Sequence, residues 1–230
     1  MELESKGLVE RSQDACRLTS KGKLMGAVLS RFIASMDALR LHRDFWNEHS
    51  IEAIPLEFLM RINVFRDAYT LEASPGNLEG PYATYLEMLD DSTHLRAMLS
   101  MCLPRHTDAI GSFLEIGGSV ELILTPESYP VFIRESAAMK LKKSMDSGIL
   151  RIGIIEEKQE ISYMLSDIFF VMSLMREGGS DPSRTRVIMG HGDELLRWGN
   201  ELFDYHWSLS SRLDNEMLDF NVDEVVPLEE

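Results

Sequence analysis

Two cysteines in 230 residues, Cys16 and Cys102, are too few for a disulfide framework and fit a reducing compartment. No apolar run approaches the roughly 18 residues of a membrane span. The opening segment MELESKGLVERS lacks the apolar centre of a signal peptide. These absences lead us to expect a cytoplasmic chain. Positive charge is scarce as well. The 23 Lys and Arg against 38 Asp and Glu leave a formal charge of −15. An acidic body of this kind repels phosphate, so most of the surface is not expected to meet nucleic acid. The six histidines form no HxH or HExxH pattern and have no Cys-x-x-Cys partner, which leaves no metal motif. There is no GxxxxGK[ST], no GxGxxG after a strand and no GxSxG, so no cofactor and no catalytic nucleophile are expected.

What is present is ordinary globular material, 44% hydrophobic and 27% charged. A chain this long buries about 70–75% of its unfolded surface and needs neither disulfide nor metal to fold. The charge is uneven. Residues 1–43 hold eight Lys and Arg against five acids, +3, and the remainder carries −18. The last fifteen residues, EMLDFNVDEVVPLEE, hold six acids and no base, and residues 214–230 read as a solvated acidic tail.

Residues 1–6 read as the last turns of a helix stopped by Gly7. Leu8 and Val9 open a strand, Gln13-Asp14-Ala15 makes a turn, and Cys16–Leu18 returns. Thr19 then caps a helix expected to run to about Asn47. Leu24, Val28, Phe32, Met36 and Leu39 recur at helical spacing as one apolar stripe, widened by Leu29 and Ile33. Strands are expected at 68–73, 94–102, 120–124, 150–155, 161–165 and 169–175. Helices are expected at 57–62, 82–90, 105–116, 126–145 and 191–213. This alternation implies an α/β (α+β) fold with a parallel or mixed sheet covered by helices.

Most chemistry-bearing residues have a plain reading. His42 and His49 stand seven apart but lack an acidic co-ligand, and surface or capping roles suit them best. Gly190-His191-Gly192 reads as a turn opening a helix, whose amides offer an anion site only as the lesser reading. Gly153 inside a strand permits close packing. Cys102 reads as a small buried hydrophobe and Cys16 lies in the hairpin with no base nearby. The fourteen methionines and ten phenylalanines fall on stripes and strands, which core packing explains.

The stretch GLVERSQDACRLTSKGKLM resembles the wing of archaeal winged-helix transcription regulators. Such wings lie along the phosphate backbone, and Arg11, Arg17, Lys21 and Lys23 occupy the matching basic positions. Four further segments follow in order: DFWNEHSIEAIPLEFLMRI (44–62), SVELILT (119–125), ISYMLSDIFFVMSL (161–174) and LLRWGNELFDYHW (195–207). Together with the wing they are similar to methanogen-type winged-helix regulators, whose partner domain is named after a methanogenesis regulator. The resemblance spans residues 1–213. It implies a remnant of a winged-helix domain over 1–19, a linker and dimerisation helix over 20–50, and a regulatory domain over 51–213. It also implies that the base-reading end of the recognition helix has no counterpart in this chain.

The strand–helix order of the regulatory part further resembles the phospholipase D-like fold. Active members carry HxKxxxxD. With Asp167 in the Asp slot, Glu160 takes the His slot and Ser162 the Lys slot. A carboxylate in place of the nucleophile repels phosphate, and Ser162 supplies no charge, so the resemblance implies a catalytically degenerate scaffold and not an enzyme. The function expected is that of a transcriptional regulator of the winged-helix type, with this chain mainly supplying the effector-sensing and dimerisation domain. DNA is expected to be met through a full-length winged helix and weakly or not at all by this chain. The other expected partners are a second copy and a small-molecule effector, with no membrane. The alternative is a ligand-binding or protein-interaction module that does not itself bind DNA.

Overall fold

The computed structural model describes residues 2–12, 15–74, 76–77, 80–135, 138–176 and 186–213. The expected turn residues Gln13 and Asp14, the whole loop at 177–182 and the acidic tail lie outside them.

The chain opens with a one-turn helix, α1 (Glu2–Ser5), ended at Gly7 by a left-handed φ of 67°. A small antiparallel hairpin follows, β1 (Val9–Arg11) paired with β2 (Cys16–Leu18). Thr19 then caps α2 (Ser20–Leu41), its hydroxyl accepting from the Gly22 N–H at 2.9 Å. The same hydroxyl donates to the Gly7 carbonyl at 2.8 Å, and the Thr19 N–H donates to Leu8 at 3.1 Å. The hairpin is therefore bonded to the start of the helix at both of its ends.

The helix expected to reach Asn47 breaks at His42, and α3 (Arg43–Glu48) continues from there. The cause is local. His42 turns inward and its Nε2 meets the Phe65 carbonyl at 2.9 Å, while the Trp46 indole N–H donates back to the Ala38 carbonyl at 3.3 Å. The first bond draws the helix end onto the body, over α4 (Leu56–Leu59) and the 3-10 turn Ile62–Phe65, and the second closes the bend between α2 and α3.

The body is one mixed sheet of eight strands. In chain order its elements are β3 (Tyr69–Glu72), α5 (Gly80–Glu87), β4 (His94–Leu99), α6 (Pro104–Glu115) and β5 (Ser119–Leu124). Then come α7 (Ser128–Glu135), α8 (Ala138–Asp146), β6 (Leu150–Ile154), β7 (Ile161–Ser166) and β8 (Phe170–Leu174). β9 (Arg186–Gly190), α9 (Asp193–Leu209) and β10 (Ser211–Arg212) complete it. The strand order is β10-β6-β5-β4-β7-β8-β9-β3, with β4–β5 and β5–β6 parallel and the other pairs antiparallel.

The central strands are buried on both faces, as the alternation of their residues shows, while β3 and β10 at the two edges are largely exposed. Leu95, Ala97, Leu122, Leu124, Met164 and Val171 point to the side covered by α6, α7 and α8. Met98, Ile123, Tyr163, Leu165, Phe170 and Ile188 point to the other, where Trp198 and Leu202 of α9 pack with Phe45, Phe58 and Phe65. Phe65 and Phe170 both meet Trp198 edge to face, at 5.0 and 5.5 Å between ring centres. The expected mixed α/β architecture is the observed one.

Three details depart from the sequence reading. Strand β9 follows a segment rich in Gly, Ser and Pro and was not expected, because its register partner β3 lies more than a hundred residues upstream. The helix expected over 126–145 is two helices. The final helix stops at Leu209, where β10 closes the sheet edge against β6. Gly153 sits beneath that closure; a Cβ there would overlap Ser210, which confirms the close-packing role.

Candidate functional site

The amino-terminal hairpin and the first turn of α2 present all four wing residues to solvent. Arg11 and Arg17 project from β1 and β2, and Lys21 and Lys23 from the first turn of α2. Their charges are partly engaged. Arg11 Nε lies 4.0 Å from the Glu4 carboxylate, Arg17 sits opposite Glu10 across the ladder, and Lys21 Nζ donates to the Lys6 carbonyl at 2.9 Å. Exposed pairs of this kind hold little energy, about 0–1 kcal/mol, and yield readily to a phosphate.

The stripe on α2 faces outward. Leu24 is 69% exposed, Val28 57%, Phe32 59%, Met36 51% and Leu39 41%; Met25, Leu29 and Ile33 beside them are exposed too. The helix rests on the body through its small and polar side. Ala38 is buried, Ala34 and Ser35 are half-buried, Arg31 donates to the Met60 carbonyl at 3.3 Å, and Asp37 meets Arg66 at 3.8 Å. Bulky apolar residues on the solvent side and alanine on the protein side invert the usual arrangement of a surface helix.

The three phosphodiesterase-like positions are not brought together. Glu160 and Asp167 flank β7 at its opposite ends, roughly 23 Å apart by strand rise. Ser162 lies buried between them, its hydroxyl 2.8 Å from that of Ser100. Burial pushes the Asp167 carboxyl up, but hydrogen bonds from the Thr93 N–H and hydroxyl outweigh it and hold the group below the usual carboxylate range. The aspartate ties the β7–β8 turn to the start of β4.

His42 and His49 stand at helix ends, as the capping reading expects, His42 between α2 and α3 and His49 at the end of α3, but both are buried and not at the surface. His49 Nδ1 meets the Phe45 carbonyl at 2.7 Å and its ring stacks on Phe45. Burial lowers both imidazoles below the ordinary 6.5 despite the raising effect of those carbonyls, so neutral structural histidines replace the surface reading. Cys102 is buried and Cys16 exposed. His191 is held by the Ile168 carbonyl at 2.9 Å, and Gly192 starts α9 with a φ of 96°; Asp193 and Glu194 follow in the first turn.

Two features escaped the sequence reading. Glu121, inside the apolar run VELIL, is 3% exposed and carries an ion cluster. Arg96 Nε donates to it at 2.7 Å, Arg151 donates to its other oxygen, and His94 Nε2 lies 3.5 Å away. An acid within an apolar strand was the available signal. The second is a cavity of about 780 Å³ between α6 and α8. It had no sequence signal, because its walls come from elements that read as ordinary amphipathic helices.

Residues 78–209 match the family described as methanogenesis regulatory protein FilR1, middle domain, and residues 1–37 match the corresponding N-terminal domain. The methanogenesis regulatory protein FilR1 of Methanothrix harundinacea (strain 6Ac) is 26% identical over 210 residues, which is 90% of this chain and 47% of that protein. The chain thus spans about half the length of the curated relative it matches. Among solved structures, TrmBL2, an archaeal chromatin protein whose structure shows a novel mode of DNA binding, overlays with a TM-score of 0.50 at 13% identity. That overlay covers 92% of this chain and 79% of TrmBL2, and the likeness is one of fold. Nuc from Salmonella typhimurium, a phospholipase D family member, overlays with a TM-score of 0.47 at 12% identity, over 64% of this chain and 99% of that one.

Proposed function

Because the chain belongs to the family of the methanogenesis regulatory protein FilR1, we propose that it is a transcriptional regulator of the winged-helix type, in which this chain supplies the wing, the connecting helix and an effector-sensing body. Arg11, Arg17, Lys21 and Lys23 contact the phosphate backbone. Leu24, Val28, Phe32, Met36 and Leu39 pair α2 with the same helix of a second copy. Two half-sites on a palindromic duplex are then gripped by one dimer.

The observation that carries this reading is the bonding of the hairpin to the first turn of α2 through Thr19. It makes wing and helix one rigid arm, so a dimer formed along the helix fixes the spacing of two wings. The wing by itself supplies positioning and no base readout, so affinity is weak and steeply dependent on salt.

A gel-shift titration of the chain on duplex DNA at low salt tests the proposal. Retardation is expected, with log K falling against log salt at about −0.9 per phosphate contacted and flattening by about one unit for each of Arg17→Ala and Lys23→Ala. No retardation at any salt would leave the acidic body as a ligand-binding or protein-interaction module without DNA contact.

A further inference from the structure

The cavity between α6 and α8 lies at the amino ends of β5 and β6, on the face away from α9. Its volume of about 780 Å³ sits within the roughly 300–1,000 Å³ usual for small-molecule sites. The floor is hydrocarbon. Ile110 and Leu114 of α6, Phe132 of α7 and Leu141 of α8 form it, and none of them is more than 9% exposed. Among the described lining residues, Thr107 is the one buried polar side chain, and its hydroxyl already meets Cys102 Sγ at 3.6 Å. An ordered water needs roughly two to four polar partners, and this floor does not offer them. Gly111 stands on the wall, and a Cβ built there meets nothing within 4 Å. Packing therefore does not demand a glycine at 111, alanine is the stronger helix former, and the missing side chain widens the space.

The charges stand outside this floor. Asp108, Glu115 and Lys143 are all exposed at the mouth, where water and salt screen them. Asp108 and Lys143 are of opposite sign, and Glu115 is already engaged. The rest of the mouth is neutral and polar, with hydroxyls from Ser112, Ser144 and Ser147. A charged group carried to the floor gives up its hydration and meets no buried ion among the described lining residues, a cost that hydrocarbon contact does not offset. A neutral hydrocarbon body loses nothing there and removes its own surface and that of the floor from water.

We infer that this cavity binds an uncharged, mainly hydrocarbon molecule, whose apolar body covers the floor and whose neutral polar end stays at the mouth beside the serine hydroxyls. The inference rests on the regulatory reading only in making this guest the effector of the sensing body. It is tested without DNA, so its failure and a failed gel shift are separate results.

The probes are n-hexanol, n-octanol, n-octylamine and n-octanoate, titrated into methyl-labelled full chain and followed by NMR. Saturable shifts are expected at the methyl groups of Ile110, Leu114 and Leu141. Affinity is expected to rise about three- to fourfold for each CH₂ added between hexanol and octanol. Octanol is expected to bind at least about fivefold more tightly than either charged probe of the same length. Gly111→Phe, which fills the space, is expected to abolish the shifts for every probe. The inference is overturned if octylamine or octanoate binds as tightly as octanol, if no probe moves these methyl groups, or if Gly111→Phe binds as the parent does. Should Gly111→Phe fail to fold, the parent chain decides alone, and equal affinity for hexanol and octanol overturns the inference.

Discussion

Gly22 approaches Leu8 so closely that a Cβ at position 22 would overlap the Leu8 carbonyl oxygen. The base of the hairpin and the first turn of the helix can touch only because that position carries no side chain. Alanine is the better helix former by about 1 kcal/mol, so propensity alone predicts that Gly22→Ala stabilises. The contact predicts the reverse for the arm. The expected outcome is a hairpin released from α2, seen as faster tryptic cleavage after Arg11 and Arg17 with the melting of the body unchanged. Cleavage at the parent rate would mean that the contact does not hold the hairpin.

The outward stripe of α2 makes a second prediction. Phe32 and Met36 are 59% and 51% exposed, so charging them removes little from the fold of a single copy. The parent is expected to sediment as a dimer and the variant Phe32→Glu/Met36→Glu as a monomer, with its thermal midpoint moved by no more than a few degrees. A dimer that survives both charges places the interface elsewhere.

Two buried histidines set the acid limit of the fold. Burial lowers His106 to about 4, and it lowers His206 to about 4 against the raising effect of the Leu202 carbonyl. In the unfolded chain both titrate near 6.5. Below that value the unfolded state binds protons that the folded state refuses, so stability is complete above about 6.5 and is lost as pH falls toward 4. Each histidine contributes up to about 3 kcal/mol of that loss. Imidazole NMR titrations should place both groups near 4, and a value near 6.5 for either would remove it from this account.

The ion cluster on β4 and β5 predicts an asymmetry. Arg96 bonds Glu121, Asn200 and Asp204, and its guanidinium lies over Phe203 at 5.1 Å. Arg96→Met leaves a buried carboxylate short of its main partner and is expected to cost about 3–5 kcal/mol. Adding Glu121→Leu removes the stranded charge and should recover part of that loss in urea denaturation. A double variant as unstable as the sum of its parts would show that the two residues act independently.

The helices and most strands were legible from one-dimensional patterns. Short apolar runs marked β4, β5, β7 and β8, and the 3.6-residue period marked α2 and α9. Thr19 was visible as a cap because a hydroxyl before an apolar-periodic run has few other uses. Strand β9 was not visible, since its identity rests on pairing with β3 across the whole body. The break at His42 was hidden for the same reason: the carbonyl that draws the imidazole inward belongs to Phe65.

The sequence by itself determined most of the elements, the hairpin with its basic residues, the acidic balance and the family. Each of these is local: a period, a cap, a turn or an ordered set of short segments. Only the tertiary structure decided that the apolar stripe of α2 turns away from its own body, that Glu121 is buried among arginines, and that α6 and α8 stand far enough apart to leave a cavity. Periodicity states that a face exists, but what lies against that face depends on residues distant in the chain, and burial, ion pairing and empty space are properties of that meeting.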